Sequence, residues 1–177
     1  LEAVDPLYRV CLIGPECTGK STIAARLAAR YQTVWVPEYA REYAARVARP
    51  LTADDVEPIA RGQIEAEDRL SVEARRLLIL DTDLVSTLVY ARHYYGAAPD
   101  WIEPLARTRL ANLYLLFAPD LAFTVDRVRD PTADRLAIYE AMRTALDAFG
   151  VRYERVGGGW EGRVRTTISA IDRLRKR

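Results

Sequence analysis

The chain has 177 residues, half of them apolar, with 26 basic and 25 acidic side chains, a formal charge of +1. That length suits one domain with a real core. The near-neutral charge argues against binding nucleic acid through bulk attraction, and the apolar content argues against disorder. Two cysteines, Cys11 and Cys17, make no disulfide framework and suggest a reducing, cytoplasmic setting, while a single histidine, His93, disfavours most metal-site and Ser-His-Asp chemistry. No apolar run approaches membrane-spanning length, and the first residues show no secretory signal pattern.

In chain order, Tyr8 to Ile13 (YRVCLI) reads as a strand and Thr22 to Tyr31 as an Ala-rich helix. Thr33 to Val36 is a second strand stopped by Pro37, and Glu38 to Val47 is helical. Thr52 and Asp55 form a capping box ahead of a long helix that runs to about Arg76, tolerating Pro58 early and weakened by Gly62. Leu77 to Leu80 is a wholly apolar third strand. Leu84 to Tyr95 is helical and ends at Gly96. Asn112 to Phe117 is a fourth strand; Leu136, Tyr139, Met142, Leu146 and Phe149 mark a helix face. Val151 to Val156 is a fifth strand, and Val164, Ile168, Ile171 and Leu174 mark the closing helix. This alternation predicts an α/β fold with a mostly parallel five-stranded sheet and helices on both faces. Ligands then sit beyond the carboxyl ends of the strands.

The residues after the first strand are Gly14-Pro15-Glu16-Cys17-Thr18-Gly19-Lys20-Ser21, followed by Thr22 and a helix. This is the phosphate-loop pattern in its strand–loop–helix context. Main-chain N–H groups and the helix dipole cradle phosphates, Lys20 reaches the β- and γ-phosphates of ATP, and Ser21 offers its hydroxyl to Mg²⁺. All but two of the basic residues are arginines, and one of the two lysines occupies position 20, where a compact point charge is needed.

The third strand ends in Asp81-Thr82-Asp83. Asp81 matches the acid that directs Mg²⁺ in phosphate-loop enzymes. Asp83 would serve metal or substrate, or else cap the helix starting at Leu84. Glu38, after the second strand, would accept a proton or grip a ribose, or else complement a helix dipole. Beside it, Tyr39 offers a stacking ring and Arg41 a charge for phosphate or a neighbouring acid. Trp35, Tyr90, Tyr94, Tyr95 and Trp101 are equally suited to base stacking and to the core. A segment from about 120 to 135 carries Asp126, Arg127, Arg129 and Arg135 around Pro131, a composition that suits a lid closing over a phosphoryl group or a solvated charged loop.

GPECTGKST, VPEYARE, LLILDTDLVST and the acidic–arginine segment from Asp120 to Arg129 occur in an order that resembles the ribosylnicotinamide kinase domain of NadR-type proteins of NAD synthesis. The resemblance covers nearly the whole chain. It implies one kinase domain over residues 1–177. It also implies transfer of the ATP γ-phosphate to the 5′-hydroxyl of nicotinamide riboside, a small-molecule partner, with no nucleic acid or membrane involved. On matching positions it implies that residues 14–22 and Arg127 bind ATP with Lys20 and Arg129 catalytic, and that Ser21 and Asp81 take Mg²⁺. Glu38, Tyr39, Arg41, Asp83 and Asp126 would face substrate, Glu38 and Asp83 also serving catalysis. Asp126-Arg127-Val128-Arg129 departs from the family's Asp-Gly-x-Arg, and Phe123 stands where Trp is expected. An adenylyltransferase domain often precedes this kinase, so the chain would be either a stand-alone kinase or one half of such a fusion. The alternatives are another metabolite kinase and a non-catalytic ATP-sensing module.

Overall fold

The computed structural model describes residues 6–121 and 133–176. Five parallel strands form the sheet: β1 (Tyr8–Ile13), β2 (Trp35–Val36), β3 (Leu77–Asp81), β4 (Leu113–Phe117) and β5 (Tyr153–Val156), in the order β2-β3-β1-β4-β5. Among the described residues seven α-helices connect and flank them: α1 (Lys20–Tyr31), α2 (Tyr39–Val47), α3 (Val56–Ser71), α4 (Leu84–Tyr95), α5 (Ile102–Thr108), α6 (Ala133–Phe149) and α7 (Trp160–Arg175). β3 and β4 are buried along their whole length, as strands covered on both faces must be.

Side-chain alternation along β1 divides the core. Val10 and Leu12 face α1 and α7, packing with Ile23, Leu27, Ile171 and Leu174. Cys11 and Ile13 face the other layer, with Ala60 of α3, Leu84 and Leu88 of α4, Ile102 of α5 and Met142 of α6. Each Val, Leu, Ile or Met side chain so removed from water contributes roughly 1.5–3 kcal/mol. β1 is central, and the chain turns to β3 on one side and β4 on the other. The crevice beyond its carboxyl end is therefore the topological switch point.

Several elements differ from the expectations. β2 shrinks to two residues because only Trp35 and Val36 pair with β3, at Ile79 and Leu80. The Thr52–Asp55 capping box is present, but it opens a 3₁₀ turn over Ala53–Asp55 before α3 begins. That α-helix ends at Ser71, short of Arg76, whose φ of 60° is left-handed. The short α5 has no counterpart in the sequence reading; seven residues give too brief an apolar rhythm.

Gly62 has a packing role as well as a helical cost. A Cβ placed there would lie 2.0–2.5 Å from three ring atoms of Tyr39, so the bare backbone makes room for that ring. Gly62→Ala should therefore destabilise by about 1–3 kcal/mol in the wild-type background. With Tyr39→Ala the same change should stabilise by about 1 kcal/mol, the helical preference for Ala over Gly. Thermal melts of the four proteins check the reversal of sign.

Candidate active site

The loop between β1 and α1 is bent by three left-handed residues. Gly14 has φ 150°, Cys17 φ 55° and Gly19 φ 87°. At Gly14 a Cβ would meet the Phe117 carbonyl oxygen at 2.6 Å, so the close pass over the end of β4 requires glycine. At Gly19 a Cβ would touch the Trp160 ring at 3.0 Å.

Three cations face carbonyl oxygens of this loop. The Lys20 ammonium donates to the Pro15 carbonyl at 2.7 Å, which also accepts from the Thr18 hydroxyl at 2.9 Å. Arg135 donates to the Cys17 carbonyl at 3.4 Å, and Arg163 to the Thr18 carbonyl at 3.3 Å. In a planar trans peptide the N–H points opposite to its C=O. Cations on the carbonyl side leave the following N–H groups, of Glu16, Thr18 and Gly19, aimed the other way. The first turn of α1 adds to this: Gly19 caps it without a side-chain bond, and no acid lies within that turn. N–H groups turned to one side and a positive helix end make an anion seat. Glu16 and Cys17 are half-buried in the loop, and Thr22 is exposed on the first turn of α1.

Arg163 is a residue that sequence reading missed. It is fully buried and donates to main-chain carbonyls of Gly158 (2.9 Å), Ala118 (3.0 Å) and Val156 (3.4 Å), and to the Asp120 carboxylate. It thus joins the phosphate loop to the ends of β4 and β5. Desolvation lowers its pKa from the ordinary arginine value. The one available signal was an arginine four residues after a Gly-Gly-Gly turn, which is weak where arginine is abundant.

Register brings Asp81 to the loop. Leu12 of β1 pairs with Asp81, and the Thr82 N–H donates to the Leu12 carbonyl at 3.0 Å. Asp81 is 1% exposed, and its Oδ2 accepts from the Ser21 hydroxyl at 2.5 Å. Its other oxygen, Oδ1, is buried without a hydrogen-bond partner. Burial raises its pKa, with Lys20 opposing that shift and Glu38 adding to it. An orphaned carboxylate oxygen beside a serine hydroxyl fits Mg²⁺, which takes one or two protein oxygens and fills its remaining positions with phosphate and water. Among the described residues no group of three His, Cys, Asp or Glu side chains is arranged to hold a metal.

Glu38 sits at the start of α2, opposite Asp81, with its side chain 12% exposed and 3.5 Å from Arg41. Arg41 is largely exposed. Tyr39 packs its ring against Gly62.

Asp83 goes elsewhere. It is fully buried; Oδ1 caps α4 by accepting from the N–H groups of Val85 (2.9 Å) and Ser86 (3.4 Å), and Oδ2 accepts from the Tyr114 hydroxyl at 2.6 Å. The left-handed turn at Thr82, φ 70°, breaks the strand alternation that would have aimed both acids alike. Asp83 thus occupies the helix cap, the alternative role its position offered. Asp126, Arg127 and Arg129 lie outside the described residues. Trp35, Tyr90 and Trp101 pack on the two core layers, whereas Tyr94 and Tyr95 are exposed.

Against this geometry, a family model described as "AAA domain" (AAA_28) matches residues 9–163. The chain belongs to that family. Two curated relatives are the "Trifunctional NAD biosynthesis/regulator protein NadR" of Escherichia coli K12 (25% identity, 86% of this chain, 39% of that protein) and of Salmonella typhimurium LT2 (23%, 97% and 44%). The chain spans less than half the length of these relatives. Among solved structures, NadR in complex with NR matches at TM-score 0.80 and 27% identity, over 93% of this chain and 50% of that one. NadR with NAD and AMP-PNP matches at 0.77 and 27% identity, over 93% and 48%. Thymidylate kinase from Ehrlichia chaffeensis (0.65, 13% identity, 94% and 99%) shares the fold. The AAA_28 member described here is homologous to NadR and has a P-loop α/β fold.

Two predictions concern the buried acids. Tyr114→Phe removes the donor to Asp83 and should cost about 1–3 kcal/mol, lowering the melting temperature while nucleotide affinity is unchanged. Glu67 of α3 is 1% exposed beside Arg9 and Arg109, yet burial, seconded by Asp83, pushes its carboxyl up to about 6. The folded state therefore holds that proton more tightly than the unfolded chain, where glutamate titrates near about 4.3. Its stabilising contribution is complete below that value and is lost as pH rises through 6. Glu67→Gln should show a flatter fall of stability than wild type between roughly pH 4.3 and 6, measured by urea unfolding.

Proposed function

We propose that the chain is an ATP-dependent kinase that phosphorylates the 5′-hydroxyl of nicotinamide riboside to give nicotinamide mononucleotide. The observation that carries the kinase reading is the meeting of Lys20, Ser21, Asp81 and Glu38 at the mouth of one phosphate loop: Ser21 bonds Asp81, and the charges of Lys20 and Glu38 both bear on that acid. The choice of acceptor rests on the likeness to NadR in complex with NR.

In this reading residues 14–22 hold the triphosphate through main-chain N–H groups. The Lys20 ammonium leaves the Pro15 carbonyl for the β- and γ-phosphate oxygens, where it offsets charge in the transition state. Ser21 and Asp81 would hold Mg²⁺, which when bound neutralises phosphate oxygens. Glu38 takes the proton of the 5′-hydroxyl as its oxygen bonds the γ-phosphorus. The bond from that phosphorus to the β-bridging oxygen breaks, and its electrons leave with ADP. Tyr39 and Arg41 flank the acceptor. Asp126, Arg127 and Arg129 belong to a lid that excludes water, a role resting on their sequence pattern. Residues 1–177 act as one kinase unit, working beside an adenylyltransferase domain as the family resemblance implies. A reducing, cytoplasmic compartment suits the free thiols of Cys11 and Cys17. Among the described residues no helix is long and apolar enough to cross a membrane.

A panel of nucleosides incubated with Mg-ATP, followed by ADP release and product mass, tests the reading. Nicotinamide riboside should gain one phosphoryl group, and Lys20→Ala should lower turnover at least 100-fold with the melting temperature retained. Another nucleoside reacting in its place overturns the acceptor alone. ATP-stabilised melting with no phosphorylated product would point instead to an ATP-sensing module.

A further inference from the structure

The β2–β3 ladder ends at Val36↔Leu80, before either chain reaches its functional acid. Glu38 and Asp81 therefore stand on two strand tips that no backbone pairing of β2 with β3 holds together. One side chain crosses that gap. Gln63, on the second turn of α3 and 2% exposed, accepts the Tyr39 N–H on its Oε1 at 3.1 Å. Its Nε2 donates to the Thr82 carbonyl at 3.4 Å and toward Glu67 at 3.5 Å. Tyr39 directly follows Glu38, and Thr82 directly follows Asp81. The neighbouring Gly62 seats the Tyr39 ring on the same helix.

We infer that Gln63 is a positioning residue: its amide bridges the two strand tips and so sets the separation of Glu38 from Asp81 and the place of the acceptor hydroxyl. This rests on the kinase reading above. Gln63 touches main chain and Glu67, not the phosphate loop, so its influence falls on the acceptor side. An amide is the side chain that suits the bridge, because it accepts from an N–H at one end and donates to a C=O at the other. A carboxylate offers the Thr82 carbonyl no donor, and a thioether offers neither end a strong partner. Acceptor misplacement on the order of 1 Å costs a transfer reaction roughly 100-fold.

The test uses the full chain with its best acceptor and compares wild type, Gln63→Met and Gln63→Glu. Both variants should lose about 10- to 100-fold in kcat, with the KM for ATP within about twofold of wild type. Amide hydrogen exchange should rise across residues 37–42 and 81–83 and stay unchanged across 14–21. Unaltered kcat in an active background would overturn the inference. A parallel rise in the KM for ATP with faster exchange across 14–21 would also overturn it, as the mark of general loosening. Should one variant fail to fold, the other decides. Wild type inactive with every nucleoside would overturn the kinase reading and the positioning role with it; an active wild type with indifferent variants overturns only the latter.

Discussion

A short loop that must accept a polyanion has to point its N–H groups one way and keep its carbonyl oxygens out of the seat. Arg135 and Arg163 do this by standing on the carbonyl side at Cys17 and Thr18, and Lys20 does so at Pro15 until a phosphate draws its ammonium away. Each peptide is planar, so fixing its oxygen fixes its N–H. The glycines permit the bend, and the cations select its direction. Arg163 has the widest reach, since its guanidinium also gathers the ends of β4 and β5. The loop is thereby tied to the ends of the sheet.

The acids are sorted by the same backbone. Asp81 and Asp83 are two residues apart, and an unbroken strand would turn them to one side. The left-handed Thr82 sends them apart. Asp81 stays at the loop with one oxygen on Ser21 and one without a partner, while Asp83 is consumed by the α4 cap and Tyr114. Desolvation raises both pKa values, but only Asp81 has Lys20 beside it to offset that cost. A half-satisfied carboxylate in a buried polar setting costs stability unless a cation completes it.

Much of this was legible from residue order. The phosphate-loop spacing, the apolar runs of β1, β3 and β4, and the Gly96 terminator each depend on local chemistry that a sequence displays. Asp81 was legible because an acid at the tip of an apolar strand has few other uses. Asp83 was ambiguous, since metal binding and helix capping favour the same residue at the same place, and the φ of Thr82 that turns it to the cap is not written in residue order. Arg163 and Gln63 were hidden for a different reason. Their partners are main-chain atoms of Thr18, Ala118, Tyr39 and Thr82, brought close only by folding. Gly62 looked like a helical weakness because its reason, the Tyr39 ring, lies 23 positions away in the chain.

The most direct measurement is a crystal structure of the chain grown with Mg²⁺ and a non-hydrolysable ATP analogue. A triphosphate should lie against residues 14–21, with the Lys20 ammonium moved from the Pro15 carbonyl to phosphate oxygens and the Arg163 contact to Thr18 kept. A triphosphate bound elsewhere, or Lys20 still on Pro15 with the loop carbonyls turned toward the ligand, would contradict this.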